Sequence, residues 1–263
     1  MSKTKIMGII NVTPDSFYGP SRAVDKQAAI EKAHSFVDAG ADYIDIGGES
    51  TRPQAEKVSL DEELKRVIPV FKELSRTVKI PLSIDTMKPE VAKQAVEHGA
   101  TLINDVSGFS NPLMRKVAAD FQVDCCVMHM QGTPQTMQDR PCYERDVVVE
   151  VYDWLDKQTK IMIHEGIASE RIIVDPGIGF GKTIEDNFSL IKSAAAFKKL
   201  GFRVLYGVSR KSFMRHFLNK GPEAVLAATV ALNSFLIQAG VDIIRVHDVS
   251  EHRDARDLLS MIL

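Results

Sequence analysis

Charged and amide side chains follow directly after short apolar runs at many points in this sequence. Asp85 follows Pro-Leu-Ser-Ile and Asp175 follows Ile-Ile-Val, so each carboxylate is expected at the inner end of a core strand. A carboxylate buried there needs hydrogen-bond donors, either from the protein or from a ligand. Similar groups follow other apolar runs, namely Asn11, Asp45 with Glu49, Asn104 with Asp105, His129, Ser209 with Arg210 and Lys211, and Arg245 with His247. A single such residue is often only a helix cap or a loop hydrogen-bonding group, but the set predicts a shared polar site.

The spacing of Arg245 and His247 is typical of an anion site. Residues two apart along a strand point to the same side, so both side chains would face one spot. Two donors aimed at one spot can bind a phosphate or a pyrophosphate. The alternative is a salt bridge from Arg245 to Asp248 or to Asp242.

Two further residues, Arg52 and Asn11, could complete this anion site. Arg52 would add a second guanidinium, and the amide oxygen of Asn11 beside a pyrophosphate could ligate magnesium.

The glycine-rich segment 177–183 superficially looks like a phosphate-binding P-loop. That motif needs four residues between its first glycine and the Gly-Lys pair, whereas three stand between Gly177 and Gly181 here, and Pro176 occupies the position of the glycine. We interpret the segment as a loop that lets the backbone approach a flat ligand beside Asp175, with Phe180 available for stacking.

Eight apolar, β-branched runs alternate with helical segments along the chain. The strands are predicted at 5–10, 42–46, 80–84, 101–106, 124–128, 171–174, 203–208 and 242–246, and the helices at 25–39, 60–78, 89–98, from 112, 144–166, 185–200, 222–239 and 250–262. Strict alternation implies right-handed crossovers and a parallel sheet. Eight such units in 263 residues favour an α/β fold of the (β/α)8 TIM-barrel type, with residues 1–263 as one domain. The active site is expected at the C-terminal ends of the strands, where the polar residues lie.

Composition excludes several classes of partner. The chain has 33 basic and 35 acidic residues and a net charge of -2, so we expect neither a nucleic-acid partner nor a membrane surface. The uncharged segment 224–241 contains amide and hydroxyl side chains and is interpreted as a buried helix, not a membrane span. Cys125, Cys126 and Cys142 form no Cys-x-x-Cys motif, and residues 1–7 are too short and polar for a signal peptide, so a cytoplasmic location is expected.

Eight ordered motifs span almost the whole sequence. They are Asn11-Val-Thr-Pro-Asp-Ser-Phe17, Asp45-Ile-Gly-Gly-Glu-Ser-Thr-Arg-Pro53, Ile84-Asp-Thr86, Ile103-Asn-Asp105, Met128-His-Met-Gln-Gly132, Asp175-Pro-Gly-Ile-Gly-Phe-Gly-Lys-Thr183, Ser209-Arg-Lys-Ser-Phe213 and Arg245-Val-His-Asp-Val249. In this order they resemble the motifs of the dihydropteroate synthases, the pterin-binding enzymes of folate biosynthesis and the targets of sulfonamides.

The resemblance implies two small-molecule substrates. It implies condensation of 6-hydroxymethyl-7,8-dihydropterin pyrophosphate with p-aminobenzoate to give 7,8-dihydropteroate and pyrophosphate. By similarity, the pterin would be held by Asp85, Asn104, Asp175 and Lys211, with Met128 against the ring. The residues facing the pyrophosphate would be Asn11, Thr51, Arg52, Arg245 and His247, with Mg²⁺ as cofactor on Asn11. The p-aminobenzoate contacts would be Phe17, Pro53, Phe180 and Ser212.

We expect Asp85, Lys211, Arg245 and His247 to be catalytic. Pyrophosphate leaves a methylene carbon on an electron-rich ring, so a delocalised cation can form without a covalent enzyme nucleophile. Carboxylates would stabilise this cation, and magnesium with basic side chains would stabilise the leaving group.

Three positions depart from the family pattern: the segment 18–21 after Phe17, Gln54 and Arg215. The altered segment leaves open a non-catalytic pterin-binding paralogue as the alternative. A pterin-dependent methyltransferase would share the ring-binding acids, but it has no need for pyrophosphate ligands. The family and the apolar segments 224–241 and 250–262 also suggest a homodimer.

Overall fold

A closed barrel of eight parallel strands forms the centre of the protein. The computed structural model describes residues 3–12, 22–52 and 55–262. Each strand pairs with its neighbours in sequence, and the last strand pairs with the first. The strands are β1 Lys5–Asn11, β2 Tyr43–Gly47, β3 Leu82–Asp85, β4 Ala100–Asp105, β5 Asp124–Met128, β6 Ile172–Asp175, β7 Arg203–Tyr206 and β8 Ile243–Val246. The predicted TIM barrel is therefore confirmed, while the treatment of 1–263 as one domain stays a prediction.

The barrel interior has an apolar layer below a polar one. Six buried side chains, one from each of six strands, form the apolar layer: Met7, Leu102, Cys126, Ile173, Leu205 and Ile243. Side chains two positions farther along a strand point in the same direction. Those positions carry Ile9, Asn104, Met128, Asp175, Gly207 and Arg245. Three of the polar residues singled out in the sequence, Asn104, Asp175 and Arg245, thus lie directly above the apolar layer.

Ten helices among the described residues surround the barrel. They are α1 Arg22–Asp38, α2 Leu60–Thr77, α3 Pro89–Glu97, α4 Pro112–Phe121, α5 Val147–His164, α6 Ile184–Lys192, α7 Ala194–Phe197, α8 Ser212–Leu218, α9 Leu226–Gln238 and α10 Val249–Leu259. Local sequence explains several of their starts: the Ser59 side chain accepts from the Glu62 amide, and Asn111 accepts from Leu113. A continuous apolar core fills the space between the helices and the outer face of the barrel. Within the described ranges, no helix is long and apolar enough to cross a membrane.

Three helix predictions differ from the structure. The helix predicted over 185–200 is interrupted at Ser193, where ψ is 17° and the chain restarts as α7 before a 3-10 turn, Lys198–Leu200. The break accompanies complete burial of Phe197. Residues 212–218, where no helix is predicted from the sequence, form the short helix α8, which is followed by Asn219 in the left-handed region. The first turn of the helix predicted over 222–239 is a 3-10 turn.

Candidate active site

A partly buried arginine links two buried acids at the C-terminal ends of the strands. The Arg245 Nε atom lies 2.6 Å from Asp45 Oδ2, and its Nη2 atom lies 2.6 Å from Asp85 Oδ2. The Asn104 amide also donates to Asp45 Oδ2, at 3.0 Å. Burial raises the pKa of Asp85 to about 7, although the positive charge of Arg245 acts in the opposite direction. Four strands, β2, β3, β4 and β8, therefore meet in one charged cluster.

The two acids of this cluster retain unused acceptors. Asp45 Oδ1 and Asp85 Oδ1 are buried, and neither has a hydrogen-bond partner within the part of the chain that the structure describes. An unpaired buried carboxylate oxygen is costly, so its presence points to a ligand that supplies N–H or O–H donors.

A third acid, Asp175, and the lysine Lys211 lie beside this cluster. Asp175 Oδ1 accepts from the Gly177 amide at 2.8 Å, and burial raises the pKa of the Asp175 carboxyl. The Lys211 Nζ atom lies 4.1 Å from the centre of the Phe180 ring, a cation–π distance. Burial lowers the pKa of Lys211 to about 8, against the opposing charge of Asp175. The site thus combines several acceptors with a lysine that can lose its charge near neutrality.

The glycine-rich segment is a tightly packed loop. Gly177 has a φ of +73°, and a Cβ atom there would lie only 1.9 Å from the His129 carbonyl oxygen. Lys182 is buried and donates to the Phe180 carbonyl at 2.9 Å, while its Nζ atom lies 3.1 Å from His129 Nδ1. Burial lowers the pKa of Lys182 to about 7 and that of His129 to about 2. Because Lys182 points into the protein, it cannot act as the lysine of a P-loop.

The sequence alternative for Arg245 is wrong, since neither Asp248 nor Asp242 is its partner. Asp248 accepts a bidentate pair from Arg210, and Asp242 binds Lys198. Arg245 instead reaches the acids of neighbouring strands.

His247 lies two residues beyond Arg245, at the end of β8. Its Nδ1 atom is 3.0 Å from Ser209 Oγ, and its backbone N–H donates to the same oxygen. Burial lowers the pKa of His247 to about 3, and the Arg245 charge adds to this effect. The imidazole is therefore neutral at physiological pH.

The other predicted residues lie around the mouth of the barrel. Asn11 is the exposed last residue of β1, aligned with Gly47, and Ser212 is the half-buried first residue of α8. Thr51 is half-buried and Arg52 exposed, and the Arg52 charge lowers the pKa of Lys211, which indicates that both face the same region.

The remaining predicted substrate contacts are Met128, Phe17 and Pro53. Met128 is buried beside Phe180 in a small apolar cluster. Phe17 and Pro53 lie outside the described residues. Within the described ranges, no group of three or more His, Cys, Asp or Glu side chains could hold a metal ion.

Sequence reasoning missed the roles of two residues. Asp45 was recognised as a strand-end acid but not as the partner of Arg245. Its place on β2 is level with Ser83 on β3, two residues before Asp85. Lys182 was recognised only as part of a rejected motif. Its burial depends on the packing of two loops that no local pattern reveals.

Comparisons with known proteins agree with this geometry. The profile of the family described as "Pterin binding enzyme" matches residues 7–247. Dihydropteroate synthase of Escherichia coli K12 is 41% identical over 263 residues, covering 100% of this chain and 93% of the relative. The enzyme of Synechocystis is 44% identical over 249 residues, covering 94% and 86%.

Solved structures give the same result. Yersinia pestis dihydropteroate synthase in a sulfonamide drug complex superposes with a TM-score of 0.94 at 37% identity, covering 99% of this chain and 94% of that one. The Xanthomonas albilineans enzyme in complex with 7,8-dihydropteroate has a TM-score of 0.90 at 37% identity and the same coverages. With a family match over most of its length and relatives above 40% identity, the chain belongs to the dihydropteroate synthases, enzymes that transfer a pterin group.

Proposed function

We propose that this chain condenses 6-hydroxymethyl-7,8-dihydropterin pyrophosphate with p-aminobenzoate, giving 7,8-dihydropteroate and pyrophosphate, and that the strand-end cluster performs the reaction. The supporting observation is the buried layer of acceptors, Asp85, Asn104 and Asp175, next to Lys211. Such a layer matches the edge of an aminopyrimidinone ring, which offers several adjacent N–H donors.

Ring recognition follows from the donors and acceptors in this layer. Asp175 can accept two N–H bonds from the aminopyrimidinone edge, because only one of its oxygens is bonded to Gly177. The bond from Asn104 to Asp45 fixes the orientation of the Asn104 amide. Lys211 can donate to acceptor atoms of the ring, and Met128 would pack against its face.

The reaction would proceed by separation of charge. The C–O bond to the pyrophosphate breaks first, and its electron pair leaves with the pyrophosphate. The remaining cation is delocalised over the pterin, and Asp85 and Asp175 stabilise it electrostatically. The p-aminobenzoate nitrogen then attacks the methylene carbon and loses a proton. No covalent bond to the protein is needed.

The leaving group would be held at the rim of the pocket by Thr51, Arg52, Arg245 and His247. Arg245 uses Nε and Nη2 for Asp45 and Asp85. A guanidinium has five N–H donors, so others remain for a pyrophosphate oxygen. The neutral imidazole of His247 would contribute a hydrogen bond and not a charge.

Magnesium would be bound mainly by the pyrophosphate and by water. Mg²⁺ commonly keeps several waters and takes only one or two protein ligands beside substrate phosphates. The exposed amide of Asn11 at the end of β1 fits that requirement. When bound, the ion would neutralise charge on the departing pyrophosphate.

The p-aminobenzoate would lie above the pterin, close to Phe180 and Ser212. The Phe180 ring contacts the Lys211 ammonium, and Ser212 follows Lys211 in the sequence. Phe17 and Pro53 are assigned to the same substrate by similarity alone. Sulfonamide sensitivity is proposed for this chain on the same ground.

We also propose a cytoplasmic homodimer. Large apolar side chains are exposed on α8, α9 and the C-terminal segment: Phe217, Phe235, Leu258, Met261 and Ile262. Burial of such a patch against a second copy would explain its composition. The three cysteines are free, as expected in a reducing compartment.

Turnover tests the main proposal directly. The protein is mixed with the pterin pyrophosphate, p-aminobenzoate and magnesium, and the products are analysed by mass spectrometry. We expect 7,8-dihydropteroate and pyrophosphate, and loss of product with Asp175→Asn. A protein that binds the pterin but forms no product would instead support the non-catalytic paralogue.

A further inference from the structure

A buried ion-pair network lies behind Asp85 and takes no part in the proposed chemistry. The Lys88 Nζ atom is 2.5 Å from Glu49 Oε2 and 2.5 Å from Glu63 Oε2. The Glu63 side chain is fully buried, and that of Glu49 is 9% exposed. Charges are seldom removed from water to this extent unless they are paired and hydrogen-bonded.

One side of the network is tied to the strands that would bind the ring. Thr86 follows Asp85 directly, and its hydroxyl donates to Glu63 Oε1 at 2.7 Å. The Lys88 amide donates to the same hydroxyl at 3.1 Å. The Thr86 amide in turn donates to the Asn104 carbonyl, so the ends of β3 and β4 are joined to the network.

The other side is tied to the segment 49–58, which carries Thr51 and Arg52. Glu49 Oε1 accepts from the Val58 amide at 2.9 Å, so one carboxylate joins the two ends of this segment. The segment also begins under tight packing, because a Cβ atom on Gly48 would lie 2.8 Å from Val67 Cγ1.

We propose that Lys88 is a positioning residue that holds Thr51 and Arg52 in register with Asp85, so that the pyrophosphate and the ring of one substrate are bound together. The inference rests on the proposed function, which places the ring at Asp85 and the pyrophosphate at Arg52. Asp85 itself is fixed independently by Arg245. Loss of Lys88 should therefore disturb the pyrophosphate end of the site more than the ring end.

Calorimetry with two ligands separates this role from a merely structural one. The probes are the pterin pyrophosphate and 6-hydroxymethyl-7,8-dihydropterin, which lacks the pyrophosphate. In Lys88→Met we expect affinity for the first to fall about tenfold or more, since small displacements of binding groups have large effects. Affinity for 6-hydroxymethyl-7,8-dihydropterin should change by no more than about twofold, which corresponds to only about 0.4 kcal/mol of binding free energy. Lys88→Arg should restore much of the difference.

Arg115→Met is the matched control for stability. Arg115 forms a partly buried pair with Glu165 and donates to the Phe109 and Ser110 carbonyls, so its hydrogen bonds lie outside the segment 49–58. This variant should unfold at lower temperature while it binds both ligands normally. If Lys88→Met behaves in the same way, or weakens both ligands equally, the positioning role is wrong.

Two double variants complement the single variant Lys88→Met. Lys88→Met leaves Glu63 buried without its cation, so the double variant Lys88→Met/Glu63→Gln is made in case the single variant does not fold. In an Arg52→Ala background, Lys88→Met should have a smaller further effect, because both changes act through the same contact.

Hydrogen exchange distinguishes failure of this inference from failure of the proposed function. If the wild-type protein binds neither pterin, the proposed function is wrong. The Val58 amide should still exchange faster in Lys88→Met than in Arg115→Met without any ligand, because the Glu49 carboxylate is no longer held. Equal exchange of the Val58 amide in the two variants would show that Lys88 does not hold the segment 49–58 in place.

Discussion

Arg245 pairs with two buried acids, and we propose that it also binds the pyrophosphate. Arg245→Ala would leave Asp45 and Asp85 buried without their cation. We expect a loss of about 3–5 kcal/mol in the free energy of unfolding, as for other broken buried pairs. Pyrophosphate affinity should fall by several kcal/mol as well. Denaturant unfolding and calorimetry measure the two effects, and unchanged pyrophosphate affinity would refute the assignment of Arg245 to the leaving group.

Pterin binding should depend on pH in both directions. Asp85 must be ionised to accept from the ring, and its pKa is raised by burial to about 7, so affinity should fall as the pH drops below that value. Lys211 must be protonated to donate to the ring with its full charge, and its pKa is lowered by burial to about 8, so affinity should fall at higher pH. Fluorescence titration from about pH 5 to about pH 10, roughly two units beyond these values, should give a bell-shaped curve.

Variants assign the two limbs of this curve. Asp85→Asn should abolish the acidic limb, and Lys211→Arg should abolish the alkaline limb, because arginine keeps its proton over this range. A curve of unchanged shape in both variants would show that other groups control binding.

The loop after β6 depends on the absence of a side chain at Gly177. Gly177→Ala would place a methyl group against the His129 carbonyl and strain a left-handed backbone, and it would displace the amide that donates to Asp175. We expect reduced pterin affinity and a loss of stability larger than the roughly 1–2 kcal/mol of left-handed strain alone.

Gly201→Ala is the matched control for this change. Gly201 also has a positive φ, of +85°, but a Cβ atom there would meet nothing within 4 Å. The comparison by thermal unfolding and pterin titration therefore separates strain from the clash. Equal losses in both variants would contradict a special role for Gly177.

Strands and helices were predictable to different degrees. Every strand was predicted within about two residues at each end, because most of the apolar runs end at, or directly before, a polar residue. The break at Ser193 was not predictable, since the surrounding alanines and lysines are all good helix formers. The partners of Arg245 were not predictable either. Asp45 is 200 residues away in sequence, and only closure of the barrel between β8 and β1 brings the two together.

Assembly is a property of the molecule as a whole, and the exposed apolar residues make it testable. Phe235→Ser and Leu258→Ser each place a polar group in the proposed interface. We expect both variants to shift the protein from dimer to monomer in sedimentation velocity. Leu113→Ser is the control, because Leu113 is 62% exposed on α4, at a distance in the fold from α9 and α10. A monomeric wild-type protein would refute the proposed dimer.

The apolar layer in the lower barrel has a consequence for the sequence of events in catalysis. That part of the barrel interior is filled by six buried apolar side chains, Met7, Leu102, Cys126, Ile173, Leu205 and Ile243. A substrate bound against this layer must bind before a substrate that covers it. If the pterin rests on this layer with p-aminobenzoate above it, the pterin pyrophosphate should bind first, and the condensed product should leave as a single molecule.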